Sequence, residues 1–333
     1  MDAIPPGTRS VPLADGEIPR SRFLIPSKNR KLFQVSIAVL IVYSLFCTLT
    51  GIRVAEAVLH PSRHRLTSEA KANALPWAED DDATLSEVSI AAEDGVSLKA
   101  WELQPEDGNG NTVVLLHGLR GNRVEMVNYA DIFLSHGYGV LMPDARAHGE
   151  SGGNLATYGL LERNDVSRWV DWLTINRHPH CIYGFGESMG AAELLQTVGT
   201  EMRFCAVAAE APFSTLRETA YDRMGQYFHA GPWVGRIILR PIVDVAFAYT
   251  RLRYGLNMER VSPEEAVAAT QVPVLLIHGQ SDANIPIRHS LRITARNRRV
   301  VLWQLPHTGH SNAIDTSPQE LETRLVQWFG THL

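Results

Sequence analysis

The sequence predicts an α/β fold: a mostly parallel sheet with helices on both faces and a helical cap insertion, preceded by one transmembrane helix. Three observations carry this. From residue 86 onward, short β-branched runs alternate with helical stretches, the pattern of a sheet assembled from strand–helix–strand units. An apolar segment at about 214–270 interrupts that alternation between two strands. Leu32 to Ile52 is a stretch of 21 consecutive residues without a charge.

As a helix, the charge-free run reaches roughly 31 Å, about one hydrocarbon thickness. Arg20, Arg22, Lys28, Arg30 and Lys31 precede it, whereas residues 53–64 carry only Arg53 and Arg63 against Glu56. The positive-inside rule then keeps the N-terminus in the cytoplasm and exports everything that follows. A cleavable signal peptide is the competing reading, with Ala55-Glu56-Ala57 as its cleavage site. The apolar run is longer than the roughly 7–15 residues of such signals, which favours an uncleaved anchor. Residues 1–31, with prolines among Gly, Ser and charges, read as a disordered cytoplasmic tail, 32–52 as the anchor and 53–85 as a linker. The acidic run Glu79-Asp80-Asp81-Asp82 lacks the interleaved Gly and closing Glu of a Ca²⁺ loop and reads as a solvated face.

Residues 86–333 read as the folded α/β domain. SEVSIAA and VSLKAWELQ alternate apolar and polar about Glu93-Asp94-Gly95, a hairpin signal. TVVLLHG (112–118), YGVLMPD (138–144), CIYGFG (181–186), FCAVAAEAPF (204–213), VPVLLIHG (272–279) and VVLWQL (300–305) read as strands buried on both faces. Helices are expected at 125–136, 158–176, from Met189 to about Val198, and at Glu320–Phe329. Leu161, Val166, Trp169, Val170 and Leu173 share one helical face. Trp101, Trp169, Trp172, Trp303 and Trp328 fall in periodic elements and read as packing. Cys181 and Cys205 begin neighbouring strands and read as buried thiols, with a bridge between them as the alternative that an exported domain permits where the geometry allows it; Cys47 lies in the span, and three cysteines in all exclude a disulfide framework. The insertion at 214–270 is apolar enough to cover the sheet's edge or the mouth of a site.

A net charge of −5 gives no basic excess with which to neutralise nucleic-acid phosphates. No G-x-G-x-x-G or Walker motif is present, so no cofactor is expected. The chemistry sits elsewhere. Gly186-Glu187-Ser188-Met189-Gly190 matches G-x-S-x-G between an expected strand and an expected helix. That turn exposes Ser188 above the sheet at a helix N-terminus, where negative charge is favoured. A serine hydroxyl needs a base, and the base an orienting acid. Asp282 follows one strand and His310 follows the next, in the loops where open α/β sheets hold their ligands. His307 is the alternative base. His307 and His310 have no evident third partner for a metal. Met189 and Leu119 are the expected backbone N–H donors to an oxyanion, and Arg120 beside Leu119 faces either solvent or an anionic substrate group. A base at the reference histidine pKa makes activity rise through roughly pH 6–8.

At these residues the chain resembles the α/β-hydrolase superfamily. The order Ser188, Asp282, His310 is its nucleophile–acid–base order, and His117-Gly118 resembles its oxyanion loop. Pro143-Asp144-Ala145-Arg146-Ala147-His148-Gly149-Glu150-Ser151 resembles its D-x-R-G-H-G-x-S turn, with Ala147 replacing the usual glycine and His148 structural. With its N-terminal span the chain is similar to single-pass Bem46-like hydrolases. The resemblance implies a serine hydrolase acting on an ester or thioester of a small or lipid-like acyl group. A peptidase or acyltransferase on the same three residues, and a non-catalytic interaction protein of the same fold, are the alternatives.

Overall fold

The computed structural model describes residues 27–80 and 82–332. It divides into two units between Phe46 and Cys47. In the first unit the described residues belong to helix α1 (Ser27–Leu59), which continues into the second. Leu32, Phe33, Val39 and Leu40 on α1 are exposed. The stretch Arg30–Leu59 is, by length and composition, long and apolar enough to cross a membrane. Most of the tail expected at 1–31 lies outside the described residues, but 27–31 are helical: Pro26 precedes the first turn and no glycine or proline interrupts the chain until Gly51.

The second unit is built on one eight-stranded sheet in the order β1-β2-β4-β3-β5-β6-β7-β8. The strands are β1 (Ala83–Ala91), β2 (Ser97–Pro105), β3 (Thr112–Leu116), β4 (Gly139–Pro143), β5 (Ile182–Glu187), β6 (Phe204–Glu210), β7 (Val274–Gly279) and β8 (Val300–Leu305). Only the β1–β2 and β2–β4 pairs are antiparallel; β4, β3 and β5–β8 run parallel. The remaining helices are α2 (Ser68–Asp80), α3 (Val127–Leu134), α4 (Glu162–Asn176), α5 (Met189–Thr197), α6 (Leu216–Tyr227), α7 (Pro232–Ile237), α8 (Arg240–Tyr254), α9 (Pro263–Ala269), α10 (Arg288–Thr294), α11 (Ala313–Thr316) and α12 (Pro318–Gly330).

Side chains alternate along a strand, so each central strand feeds two cores. Val113 and Leu115, Tyr183 and Phe185, and Leu275 and Ile277 pack under α3 and α12. Val114 and Leu116, Ile182, and Val274 and Leu276 pack under α4 and α5. The tryptophans expected in the interior are buried or half-buried there. Helices α6–α9 lie between β6 and β7, in the span 214–270.

Two expectations are corrected. Residues 53–85 are not a tether. The helix α1 runs on to Leu59 because Arg53 stays exposed while Cys47, Gly51, Ala55 and Leu59, one turn apart, are buried against protein. It stops where Pro61 disfavours helix at the preceding residue. The Arg63 guanidinium then donates to the carbonyls of Ala147, Ser151 and Gly153 at 3.1, 2.8 and 2.6 Å. Ala74 and Ala78 of α2 are buried, and Trp77 donates to Asp131 at 2.7 Å. The second correction is that Cys181 and Cys205 are disulfide-bonded, with Cα atoms 5.8 Å apart, rather than free thiols. The physical reason is a bulge: Ile182 pairs with Phe204 but Tyr183 with Ala206, so Cys205 is an extra residue without a partner on β5.

Candidate active site

Ser188 joins β5 to α5 with φ 51° and ψ −105°, a region where side chains are strained. The surroundings enforce it. A Cβ on Gly186 would lie 2.6 Å from the Gly190 carbonyl carbon, and one on Gly190 would lie 2.3 Å from the Leu116 oxygen. Only glycine permits that approach of turn to strand. The Ser188 N–H donates to the Glu210 carbonyl at 2.8 Å, tying the turn to β6.

His310 stands in the loop after β8, and its Nε2 lies 2.9 Å from Ser188 Oγ. Its Nδ1 lies 2.7 Å from Asp282 Oδ2. A carboxylate only accepts, so Nδ1 carries the proton and Nε2 is free to accept from the serine. Asp282 follows β7 and is buried. Its Oδ1 accepts the N–H groups of Asn284 and Ile285, each at 2.8 Å. Burial opposes ionisation of Asp282, but hydrogen bonds from His278 and His310, the His310 charge and the Ile285 N–H outweigh it and hold the carboxyl well below the usual range.

The residue order therefore brings Ser188, Asp282 and His310 together, whereas His307 is exposed and apart. Sequence reasoning missed His278. Its Nε2 donates to the Ile285 carbonyl at 2.8 Å and lies 3.4 Å from Asp282 Oδ2, while Nδ1 meets Ser290 Oγ at 2.7 Å. It fixes the loop that carries Asp282. Its one signal is its position at the end of β7, four residues before the acid.

The loop after β3 comes within reach of Ser188: a Cβ on Gly118 would lie 3.8 Å from Ser188 Cβ. His117 shapes that loop, donating from Nδ1 to the Gly118 carbonyl at 2.7 Å and accepting the Ala145 N–H on Nε2 at 3.1 Å. Burial, then the charge of His148, push the His117 pKa down to about 4, so it is neutral. Leu119, Arg120 and Met189 share one cavity with Ser188 and His310.

That cavity, about 590 Å³, is largely apolar. Leu216 and Met224 of α6 and Val243 and Phe247 of α8 roof it. Val54, Ala55, Ala57 and Val58 of α1 form a further wall that the sequence did not announce. Among the described residues no group of three or more His, Cys, Asp or Glu is arranged to hold a metal ion.

Glu187, beside the serine, also lines the cavity. Burial, then the charge of Glu210, push its carboxyl up to about 8. Glu210 itself accepts the Tyr129 hydroxyl at 3.0 Å and the Ala313 N–H at 2.9 Å. Between about pH 4.5 and 8 the folded chain keeps a Glu187 proton that the unfolded chain has lost, so stability falls as pH rises through that window. Above pH 8 a negative charge appears beside the serine. The expected result is an alkaline decline in kcat/KM near pH 8 that Glu187→Gln removes, together with the fall in Tm; profiles of both proteins check it.

A second chain of the same residue types serves as a contrast. His289 Nδ1 accepts from the Ser214 N–H at 3.1 Å and lies 2.9 Å from Ser214 Oγ, while its Nε2 donates to Asp222 Oδ2 at 3.0 Å. All three are buried, closed to any substrate, and they pin α6 to α10. Exposure to a cavity separates the first chain from the second. In the turn after β4, Asp144 accepts from the Arg123 guanidinium at 2.6 Å and His148 donates to the Arg146 carbonyl at 2.9 Å. Ala147 sits there at φ 61°, the conformation for which glycine is suited.

Comparison with known proteins agrees with this architecture. A Bacillus subtilis protein of uncharacterised function, YqkD, is 28% identical over 238 residues, 71% of this chain and 75% of its own. The Pyrococcus furiosus esterase Pf2001 superposes with a TM-score of 0.65 at 24% identity, covering 82% of this chain and 99% of the esterase. The Pyrococcus horikoshii acylaminoacyl peptidase superposes at 0.58 with 19% identity, over 78% of this chain and 43% of the peptidase. Residues 113–324 match the model of the alpha/beta hydrolase family, and the chain belongs to that family.

Proposed function

We propose that the chain is a membrane-anchored serine hydrolase that cleaves an ester or thioester through an acyl-enzyme. The observation that carries this reading is the hydrogen-bonded run from Ser188 through His310 to Asp282, opening on an apolar cavity. Ser188 Oγ attacks the acyl carbonyl as its proton passes to His310 Nε2. The N–H groups of Leu119 and Met189 hold the oxyanion, and Asp282 stabilises the imidazolium. The carbonyl re-forms, the alcohol or thiol leaves with the proton from His310, and the acyl group stays on Ser188. Water then attacks, giving its proton to His310, and the carboxylic acid departs as Ser188 recovers its hydrogen. The test is a fluorophosphonate probe: it labels the wild type stoichiometrically and leaves Ser188→Ala unlabelled, and an unreactive wild type overturns the reading.

The same proposal sets the N-terminus in the cytoplasm and the hydrolase unit outside it. The excess of Arg and Lys before the apolar run supports this, as does the Cys181–Cys205 bridge, since disulfides persist in oxidising compartments. Lys28 and Lys31 precede the run, and Lys71 and Lys99 follow it. A membrane-impermeant amine reagent applied to right-side-out vesicles should modify Lys71 and Lys99 and spare the other two. The opposite pattern reverses the topology.

A further inference from the structure

One segment of α1 serves two structures at once. It ends the stretch Arg30–Leu59 that is apolar enough for a bilayer, and its residues Val54, Ala55, Ala57 and Val58 line the cavity over Ser188. Val54 stands two residues past Ile52, the last of the charge-free run.

The wall is built in. A Cβ on Gly51 would lie 2.7 Å from the Ile242 carbonyl oxygen and from Val245 Cγ1, so α1 and α8 touch backbone to backbone. Glu56 accepts the hydroxyls of Tyr249 at 2.6 Å and Tyr254 at 2.8 Å. The Tyr158 hydroxyl donates to the Val58 carbonyl at 3.0 Å, and the Ala156 N–H to the Leu59 carbonyl at 2.9 Å. Apolar side chains of the cap, Val243 and Phe247 among them, line the same cavity.

We propose that the substrate is an acyl ester of a bilayer lipid, whose chain lies against Val54, Ala55 and Val58 while its carbonyl reaches Ser188. This rests on the hydrolase reading above. The cavity's 590 Å³ has room for on the order of 20 methylene-sized groups at about 30 Å³ each, the size of a long acyl chain. Its lining is suited to hydrocarbon, and each methylene taken from water adds to binding. The cap also presents Tyr227, Trp233 and Ile237 to its surroundings, more than half exposed, the side-chain types that favour a membrane interface. In the reaction the ester C–O bond breaks, the acyl carbon bonds to Ser188 Oγ, the lipid alcohol leaves with the proton from His310, and water then frees the fatty acid.

The test uses the full chain in phosphatidylcholine vesicles, with p-nitrophenyl acetate and p-nitrophenyl palmitate as substrates. Val58→Trp fills the cavity at the α1 wall, and Ala57→Trp does so from an exposed position that tolerates bulk. In each variant the ratio of kcat/KM for palmitate to that for acetate should fall about tenfold or more. Partial unfolding lowers both rates alike and leaves the ratio alone. Leu252→Trp, exposed on α8 and outside the cavity, keeps the wild-type ratio. A diacylglycerol with a fluorogenic acyl chain should be consumed in the protein's own vesicles and spared in separate ones. If Ser188 labels and acetate is turned over, but the ratio is unmoved in both tryptophan variants or both vesicle populations are consumed equally, the lipid proposal fails and the hydrolase reading stands. If the wild type does not label, both fall.

Discussion

Ser188→Ala lowers kcat/KM for a p-nitrophenyl ester by a factor on the order of 10⁴–10⁶. In the proposed reaction the hydroxyl is the group that bonds to the acyl carbon, and no neighbouring group can take its position in the turn. In the proposed mechanism, what survives is the contribution of the N–H donors of Leu119 and Met189 and of the cavity, which still orient a substrate for attack by water. Stability stays close to wild type, because alanine inherits the same φ of 51° and the side chain's hydrogen bond to His310 is one among many in the loop. Purified variant of matching Tm that keeps more than a tenth of the activity sinks the assignment.

Asp282→Asn loses on the order of 10⁴ in kcat, nearly as much, although it removes no atom that touches substrate. The reason lies in which oxygen meets which donor. The N–H groups of Asn284 and Ile285 point at Oδ1, so the asparagine carbonyl takes that side and its NH₂ turns to the Oδ2 side. That NH₂ faces His310 Nδ1 and also His278 Nε2, both of which donate in the native protein. Nδ1 of His310 is forced to accept, its proton moves to Nε2, and the imidazole no longer has a lone pair for Ser188. Ring ¹⁵N shifts of His310 should report the tautomer change together with the loss of rate; a normal tautomer with low activity would refute the mechanism argued here.

The sheet was legible because its signals are local. VVLL and VLLI, buried on both faces, read as central strands from their composition, and G-E-S-M-G between a strand and a helix marked the turn that Ser188 occupies. The order Ser188, Asp282, His310 was equally plain, since each lies just past a strand. Contacts between distant segments left no such mark. Nothing in the letters around Arg63 says that its guanidinium reaches carbonyls more than 80 residues away. Hydropathy ended the apolar run at Ile52 because Arg53 and Glu56 are charged; the helix continues because one is exposed and the other is held by two tyrosines from α8. The bridge between Cys181 and Cys205 depends on a bulge, and a shift of pairing by one residue is invisible in a single strand. His278 looked like the next-to-last letter of a strand, and its role appears only once the Asp282 loop has folded back over it.

The clasp of Glu56 by Tyr249 and Tyr254 fastens the last turns of α1 to α8 of the cap. Val54, Ala55 and Val58 on one side of that joint and Val243 and Phe247 on the other all line the cavity that holds Ser188, so its shape is set by two segments almost 190 residues apart in the chain. Loosening the joint would deform the space above the serine without touching any residue of the hydrogen-bonded run from Ser188 to Asp282.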